Sequence, residues 1–451
     1  MSDERGTGGI SRRDALKRMI LGGAGLALFD GSLAFLLPGK AHAAEAALPA
    51  KAKAVIQIWL WGGPPHLDTF DPKPDAGYDY CGPLNKPIET NVPGIFIGQL
   101  LPQLAQQADK YSIIRSMTHG NNGHETAAYI VQTGHQPGER LVYPSIGALV
   151  SKFKGYEHGY TSLVPPYVVL TTPQGRFDEA GFLGPRYKPF ATGGNPAAAR
   201  FVVEGVVAEG ISEEHQRRRR DLRDSLDTLA QAMPDDPQLA ALDEARDNAY
   251  EMILGDGSKL FDLSQEDTDL RNRYGRNTFG QSCLMARRLV AAGVPYVTIN
   301  YGGWDTHKQH FETMRWKLPE MDRAVATLLQ DLTDQGLLDS TIVWWSGEFG
   351  RTPRVQWEAP WNGGRSHHGA CFSAMVAGGG FRGGQVVGAS DAKGEYVAER
   401  PVSAPDLLGS MCQLLGIDPD GPLPNPRGLD LKVMPQSEMP NEGAGRLTEI
   451  M

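Results

Sequence analysis

"VPYVTINYGGWDTH", residues 294–307, opens as a strand and closes as something else. Val294, Val297, Thr298 and Ile299 are β-branched and Tyr296 is aromatic, the side chains that suit a pleated, packed surface. Gly302 and Gly303 then end the run, and Asp305 and His307 follow two positions apart. The same ending recurs. "AVIQIWLW" (54–61), apolar on both faces, runs into "GGPPHLDTFDPKP" with Asp68, and "STIVWWSGEFGRTP" (340–353) carries Glu348 just past its apolar run. Strands without a polar face belong in the middle of a parallel sheet covered on both sides. In open α/β sheets the carboxyl edge of such strands is where sites form.

Working outward, the chain alternates strand and helix. "LPQLAQQADKY" (101–111) reads as a helix, "SIIRSM" (112–117) as a strand, and "HETAAYIVQTG" (124–134) as a helix closed by Gly134. "YPSIGALVSKF" (143–153) is helical and "PYVVL" (166–170) a strand, while "TFGQSCLMARRLVAAG" (278–293) and "LPEMDRAVATLLQDLTDQG" (318–336) flank the opening strand as helices. "FSAMVAGGG" (372–380) is a last short strand, and the Pro-rich tail from about 418 is irregular. This pattern predicts an α/β fold with helices on both faces of a mostly parallel sheet. We expect one α/β domain over 44–451, with a helical cap inserted at about 205–292. Within that cap Ser212, Asp236 with Pro237, and Ser264 read as helix starts. Its "EEHQRRRRDLRD" (213–224) is no nucleic-acid patch, because Glu213 and Glu214 precede Arg217 and Arg218 by four residues.

Residues 1–43 stand apart. "SRRDALK" (11–17) sets paired arginines before the apolar "MILGGAGLALFDGSLAFLL", and "AHA" (41–43) offers small residues for cleavage. The segment resembles a twin-arginine signal with Ala15 where Phe is more usual; as a membrane anchor it would be weakened by its glycines and Asp30. It implies export by the Tat translocase to the periplasm or beyond, with no stable membrane span after cleavage. Cleavage would remove six Lys/Arg and four Asp/Glu, leaving the chain two charges more negative than the −9 of the whole sequence. That balance excludes nucleic acid and anionic membranes as partners. Cys81, Cys283, Cys371 and Cys412 lack the paired spacing of a zinc or redox motif and read as buried free thiols.

The candidate metal ligands are Asp68, Asp305, His307, Glu348, His367 and His368, the last two in "NGGRSHHG" (362–369), close enough to Glu348 for a loop to return them to the same edge. Mixed carboxylate and imidazole ligation suits Zn, Mn or Fe better than calcium. Either one or two such divalent transition metal ions would lower the pKa of bound water and stabilise charge on an ester oxygen. Candidate catalytic groups are His119 for acid–base work and Arg351 for pairing with an anionic ester or, as a bland alternative, with Glu348.

"GGPPHLDTFDPKP", "HETAAYIVQTGH", "YGGWDTH", "GLLDSTIVWWSGEFGRTP" and "GRSHHG", spread over about residues 54–416, resemble the bacterial domain-of-unknown-function 1501 family, exported sulfatase-like proteins grouped with the alkaline phosphatase superfamily. The resemblance implies a three-layer αβα sandwich and relatives that hydrolyse or transfer phosphate and sulfate esters at a metal centre. By it, Asp305 and His307 look like ligands of one metal, and Glu348 stands where relatives have Asp, with Phe349 replacing the next His ligand. His367 or His368 looks like the late histidine, after Ser366 where Asp is more usual, and Asp68 stands in for the acidic residue after the first strand. By the resemblance the catalytic nucleophile's slot falls on His124, which reads as a ligand or base and is an unusual nucleophile, while Thr126, two residues deeper, has the hydroxyl that phosphatases use. "CGPLN" at Cys81 mimics a sulfatase signature but has Asn85 in place of its Arg. The reading is an exported metal-dependent hydrolase of small anionic phosphate or sulfate esters; the alternative is a non-catalytic metal- or ligand-binding protein on the same fold. A third possibility, a structural component of the cell envelope, predicts no metal.

Overall fold

The computed structural model describes residues 48–138, 141–173, 179–198, 201, 203, 214, 218, 256–436 and 445–451, all within one unit, Ala47–Met451. In chain order its strands are β1 Ala54–Trp59, β2 Ile88–Glu89, β3 Phe96–Ile97, β4 Tyr111–Met117, β5 Tyr167–Leu170 and β6 Phe190–Ala191. They continue with β7 Tyr296–Asn300, β8 Thr341–Ser346, β9 Gly350–Arg351, β10 His367–His368, β11 Phe372–Ala377 and β12 Gln385–Val387. Eight form one sheet in the order β12-β4-β11-β8-β1-β7-β5-β6. Only β11 runs against its neighbours β4 and β8; the other pairings are parallel.

Alternation along the strands sorts the core into two layers. Ile56 and Ile58 of β1, Val297 and Ile299 of β7, and Val343 and Trp345 of β8 meet the helices Thr278–Ala291 and His310–Asp334 on one face. Val55 and Trp59, Tyr296, and Ile342 and Trp344 meet the helices His124–Thr133, Ile146–Lys154 and Ala404–Leu414 on the other. The fold is therefore the expected αβα sandwich on a mostly parallel sheet. Side chains buried in this way contribute about 1.5–3 kcal/mol each.

Several local expectations hold in detail. Gly134, at φ +75, closes the helix His124–Thr133, and the Ser145 hydroxyl caps the next by accepting from the amide of Ala148. All four cysteines are buried and free. Arg218 pairs with Glu214 across one helical turn at 2.5 Å. Other expectations need correction. "LPQLAQQADKY" forms only the short helix Pro102–Ala105 and a 3-10 turn at Ala108–Lys110, because Tyr111 already belongs to β4. The helix expected from Leu318 begins at His310, since Phe311 and Met314 extend its buried stripe upstream of Pro319. Ser264 is not a cap; Asp262 caps the 3-10 turn Leu263–Gln265, and Asp267 the helix Thr268–Tyr274. The signal at 1–43, Ser212, Asp236 and Pro237 lie outside the described residues, as does most of the cap. Among the described residues no helix is long and apolar enough to cross a membrane.

Candidate metal centre

Four chain segments meet at the carboxyl edge. β1 delivers Trp61 and Gly62, β7 delivers Asp305 and His307, and β8 delivers Glu348, while β4 leads to His124 at the start of its helix. His367 arrives by a different route. After β8 the chain turns back through an antiparallel pair in which Arg351 of β9 faces His367 of β10, and only then enters β11. Because β11 is antiparallel, its amino end lies at the edge where the other strands end.

Gly62 holds these segments together. Its amide donates to Oε1 of Glu348 at 2.9 Å and its carbonyl accepts from Nη1 of Arg351 at 2.9 Å. Its φ is +111, and a Cβ there would fall 2.2 Å from the backbone nitrogen of Asp305, so no larger residue fits. Gly364 makes a similar approach, since its Cβ would fall 1.8 Å from the carbonyl oxygen of His307.

His124, Asp305 and His367 each offer one ligand atom, and these atoms lie within 4.8 Å of one another. Nε2 of His124 is 3.3 Å from Oδ2 of Asp305, and Nε2 of His367 is 3.0 Å from Oδ1. His307 adds a fourth donor, its Nε2 lying 3.0 Å from both Oδ1 of Asp305 and Nε2 of His367. Ligands at 2.0–2.1 Å around a tetrahedral ion lie about 3.3 Å apart, so this spacing suits a small divalent metal. The far ring nitrogens are tied down. Nδ1 of His124 lies 2.6 Å from Oε1 of the fully buried Glu348, and Nδ1 of His367 lies 2.7 Å from the carbonyl oxygen of Asn122. Histidines that bind metal characteristically donate their second N–H to a carboxylate or carbonyl in this way. Oε2 of Glu348 is buried without a hydrogen-bond partner among the described residues.

In the metal-free group the charges pair with one another. Hydrogen bonds to Asp305 and Glu348 push the His124 imidazole up to about 9, against its partial burial. Burial would raise the Asp305 carboxyl, but hydrogen bonds from His124 and His367 and the charge of Arg351 hold it far below the usual carboxylate range. His307 is lowered by burial and by Arg351. Aromatic rings wall the group: Trp61 stacks on His124 at 5.3 Å, and Phe349 on His367 at 4.5 Å.

The model of a family described as protein of unknown function (DUF1501) matches residues 52–439. The chain belongs to the DUF1501 family. No curated protein matches it. Among solved structures, this DUF1501 chain is similar to a protein in the alkaline phosphatase superfamily from Vibrio parahaemolyticus, at 13% identity and TM-score 0.37, covering 82% of this chain and 69% of that one. It is similar to a sulfatase from Pseudoalteromonas sp. at 15% identity and TM-score 0.34, with 81% and 68% covered, and to the alkaline phosphatase of the Antarctic bacterium TAB5 at 12% and 0.32, with 74% and 94% covered. Likeness of this degree carries no substrate or reaction over to the DUF1501 protein.

The remaining expected residues fall outside the group. Asp68, expected as a ligand, is buried with Oδ2 2.8 Å from Nε2 of His310 and 3.3 Å from Nε of Arg365. Glu348, also expected as a ligand, uses Oε1 to orient His124. His368 points away from His367, as neighbours on a strand must; its Nε2 lies 2.7 Å from the carbonyl oxygen of Glu395 and its ring stacks over His66. Arg351 pairs with Asp305 at 2.7 Å and not with Glu348, and its Nη2 donates to the carbonyl of Arg365. His119 has both nitrogens engaged, Nδ1 by the amide of Asn121 and Nε2 by the carbonyl of Glu348, and burial lowers its pKa. Its one proton is thus on Nε2 and donated to that carbonyl. Thr126 is two residues beyond His124 in one helical turn, where side chains do not share a face. Sequence reading missed Trp61, Gly62 and His310; the glycine-rich break after β1 was the available signal for the first two.

Proposed function

We propose that this DUF1501 protein is an exported, metal-dependent hydrolase of small phosphate or sulfate esters, holding one divalent transition metal (Zn, Mn or Fe) through His124, Asp305, His367 and His307. The observation that carries the reading is the convergence of His124, Asp305 and His367, with His307 beside the last two, and with Glu348 and the Asn122 carbonyl fixing the far nitrogens of His124 and His367. Such an ion supplies Lewis acidity and water acidified toward neutrality. The chain's own part is orientation. Glu348 holds Nδ1 of His124 so that Nε2 faces Asp305 and can bind an ion once it gives up its proton, Arg351 anchors the Asp305 carboxylate, and Trp61 and Phe349 pack against the imidazoles. No hydroxyl belongs to the group, so water and not Thr126 is the nucleophile. The ester class follows from the resemblance of the sequence blocks to sulfatase-like proteins, and export by the Tat route from residues 1–43.

A second reading, a metal-binding protein without turnover, is favoured by one observation: Arg351 is 1% exposed, with Nη1 bonded to the Gly62 carbonyl and Asp305 and Nη2 to the Arg365 carbonyl, so its guanidinium is turned into the protein and not presented to an ester in solvent. Elemental analysis of the natively exported protein, together with Asp305→Ala and His307→Ala, tests both. The hydrolase reading expects stoichiometric metal lost in the variants and turnover of aryl phosphates or sulfates that survives Thr126→Val. Metal without turnover across ester classes supports the binding protein, and no metal in the wild type sinks both.

A further inference from the structure

Behind the donor group lies a second polar cluster that the proposed reaction does not use. Asp68, His310, Arg365 and Thr306 are 2%, 0%, 1% and 6% exposed. His310 spans two of them: its Nε2 is 2.8 Å from Oδ2 of Asp68 and its Nδ1 is 2.6 Å from the hydroxyl of Thr306. Arg365 closes the ring, its side chain pairing with Asp68 and its amide donating to the carbonyl of Thr306 at 3.1 Å. Thr306 is the residue between Asp305 and His307.

Proton positions follow from the partners. Burial would raise the Asp68 carboxyl, but Arg365 and His310 hold it below the usual range, so it is ionised and only accepts. Burial pushes His310 down to about 4 despite Asp68, so the ring is neutral. Its one proton is then on Nε2 facing Asp68, and Nδ1 accepts from the Thr306 hydroxyl at 2.6 Å, nearer than that hydroxyl's other acceptor, the Trp304 carbonyl at 3.3 Å. A buried carboxylate, imidazole and hydroxyl in that order resist rotation, because any turn strands a polar atom away from water.

We propose that His310 is a positioning residue: through the Thr306 hydroxyl it fixes the one-residue bridge between Asp305 and His307, and so sets both of their side chains against His367. The inference rests on the metal reading. Removing supporting partners of metal ligands typically weakens affinity by about 10–100-fold.

The test compares Thr306→Val, which keeps shape and loses the hydroxyl, with Thr306→Ser, which keeps the hydroxyl. Zn²⁺ affinity is measured by competition with a chromophoric chelator, beside thermal melting of the metal-free proteins. The expected result is a loss of affinity of about 10–100-fold in Thr306→Val and its recovery in Thr306→Ser. A lowered melting temperature in Thr306→Val with unchanged Zn²⁺ affinity would make the cluster merely structural and overturn the proposal. Wild-type protein that binds no Zn²⁺, Mn²⁺ or Fe²⁺ would overturn the metal reading and the inference with it. Long-range ¹H–¹⁵N spectra of metal-free wild type read His310 separately: the neutral Nε2–H tautomer at neutral pH is expected, and a doubly protonated or Nδ1–H ring would overturn the positioning chain even if metal binds.

Discussion

Nδ1 of His124 sits 2.6 Å from Oε1 of Glu348, a carboxylate with no exposure to solvent and 224 residues further along the chain. A buried carboxylate costs several kcal/mol unless it is paired, and here its role is to point Nε2 of His124 at Asp305. Glu348→Ala should therefore weaken metal binding by about 10–100-fold without abolishing it, whereas Asp305→Ala should abolish it. Chelator competition on the two variants reads the difference; equal loss in both would make Glu348 a ligand.

His367 and His368 should separate cleanly. His367→Ala removes a ligand and metal content should fall. His368→Ala removes a hydrogen bond to the Glu395 carbonyl and the packing on His66, so it should lower stability by about 1 kcal/mol with metal content unchanged. Elemental analysis and denaturant unfolding of both variants check this.

Gly62 admits no side chain. Gly62→Ala would place a methyl group 2.2 Å from the backbone of Asp305 at φ +111, so it should destabilise by about 2–5 kcal/mol and displace the Asp305 loop. The expected signature is a lowered urea midpoint together with loss of metal; a fold of wild-type stability would show that the loops separate easily.

Lys317 gives a pH dependence away from the metal centre. It is buried, with Nζ 3.8 Å from the centre of the Tyr301 ring and 5.1 Å from that of Trp304. Burial pushes its amine down to about 8 from 10.5, with Glu320 opposing. The unfolded chain thus holds this proton more tightly than the folded one, and between pH 8 and 10.5 stability rises with pH. The slope is at most about 1.4 kcal/mol per pH unit. Lys317→Met should abolish that rise in urea unfolding across the window; an unchanged slope would mean that other groups produce it.

How much of this was legible beforehand depends on the range of the interactions. β1, β7 and β8 declare themselves through unbroken apolar runs, and Asp305, His307 and Glu348 follow from standing where those runs stop. Choosing between His367 and His368 needs the register of β10 against β9, which side-chain alternation decides and a sequence of two histidines does not. Asp68 and Asp305 look alike as acids past strands. Only the fold shows that one carboxylate is enclosed by His310 and Arg365 while the other faces three imidazoles. The start of the helix at His310 was hidden by Pro319, which reads as a boundary but sits inside the first turns of a longer stripe.

β11 lies between β4 and β8 although the chain makes it after both. β11 therefore joins β4 and β12 to the rest of the sheet, and His367 stands just ahead of it in the chain. A chain halted before Phe372 would keep the β9–β10 pairing of His367 with Arg351 but lose the strand that anchors this hairpin in the sheet. Docking of β11 and the placing of His367 beside Asp305 and His124 are thus linked by a few residues of chain.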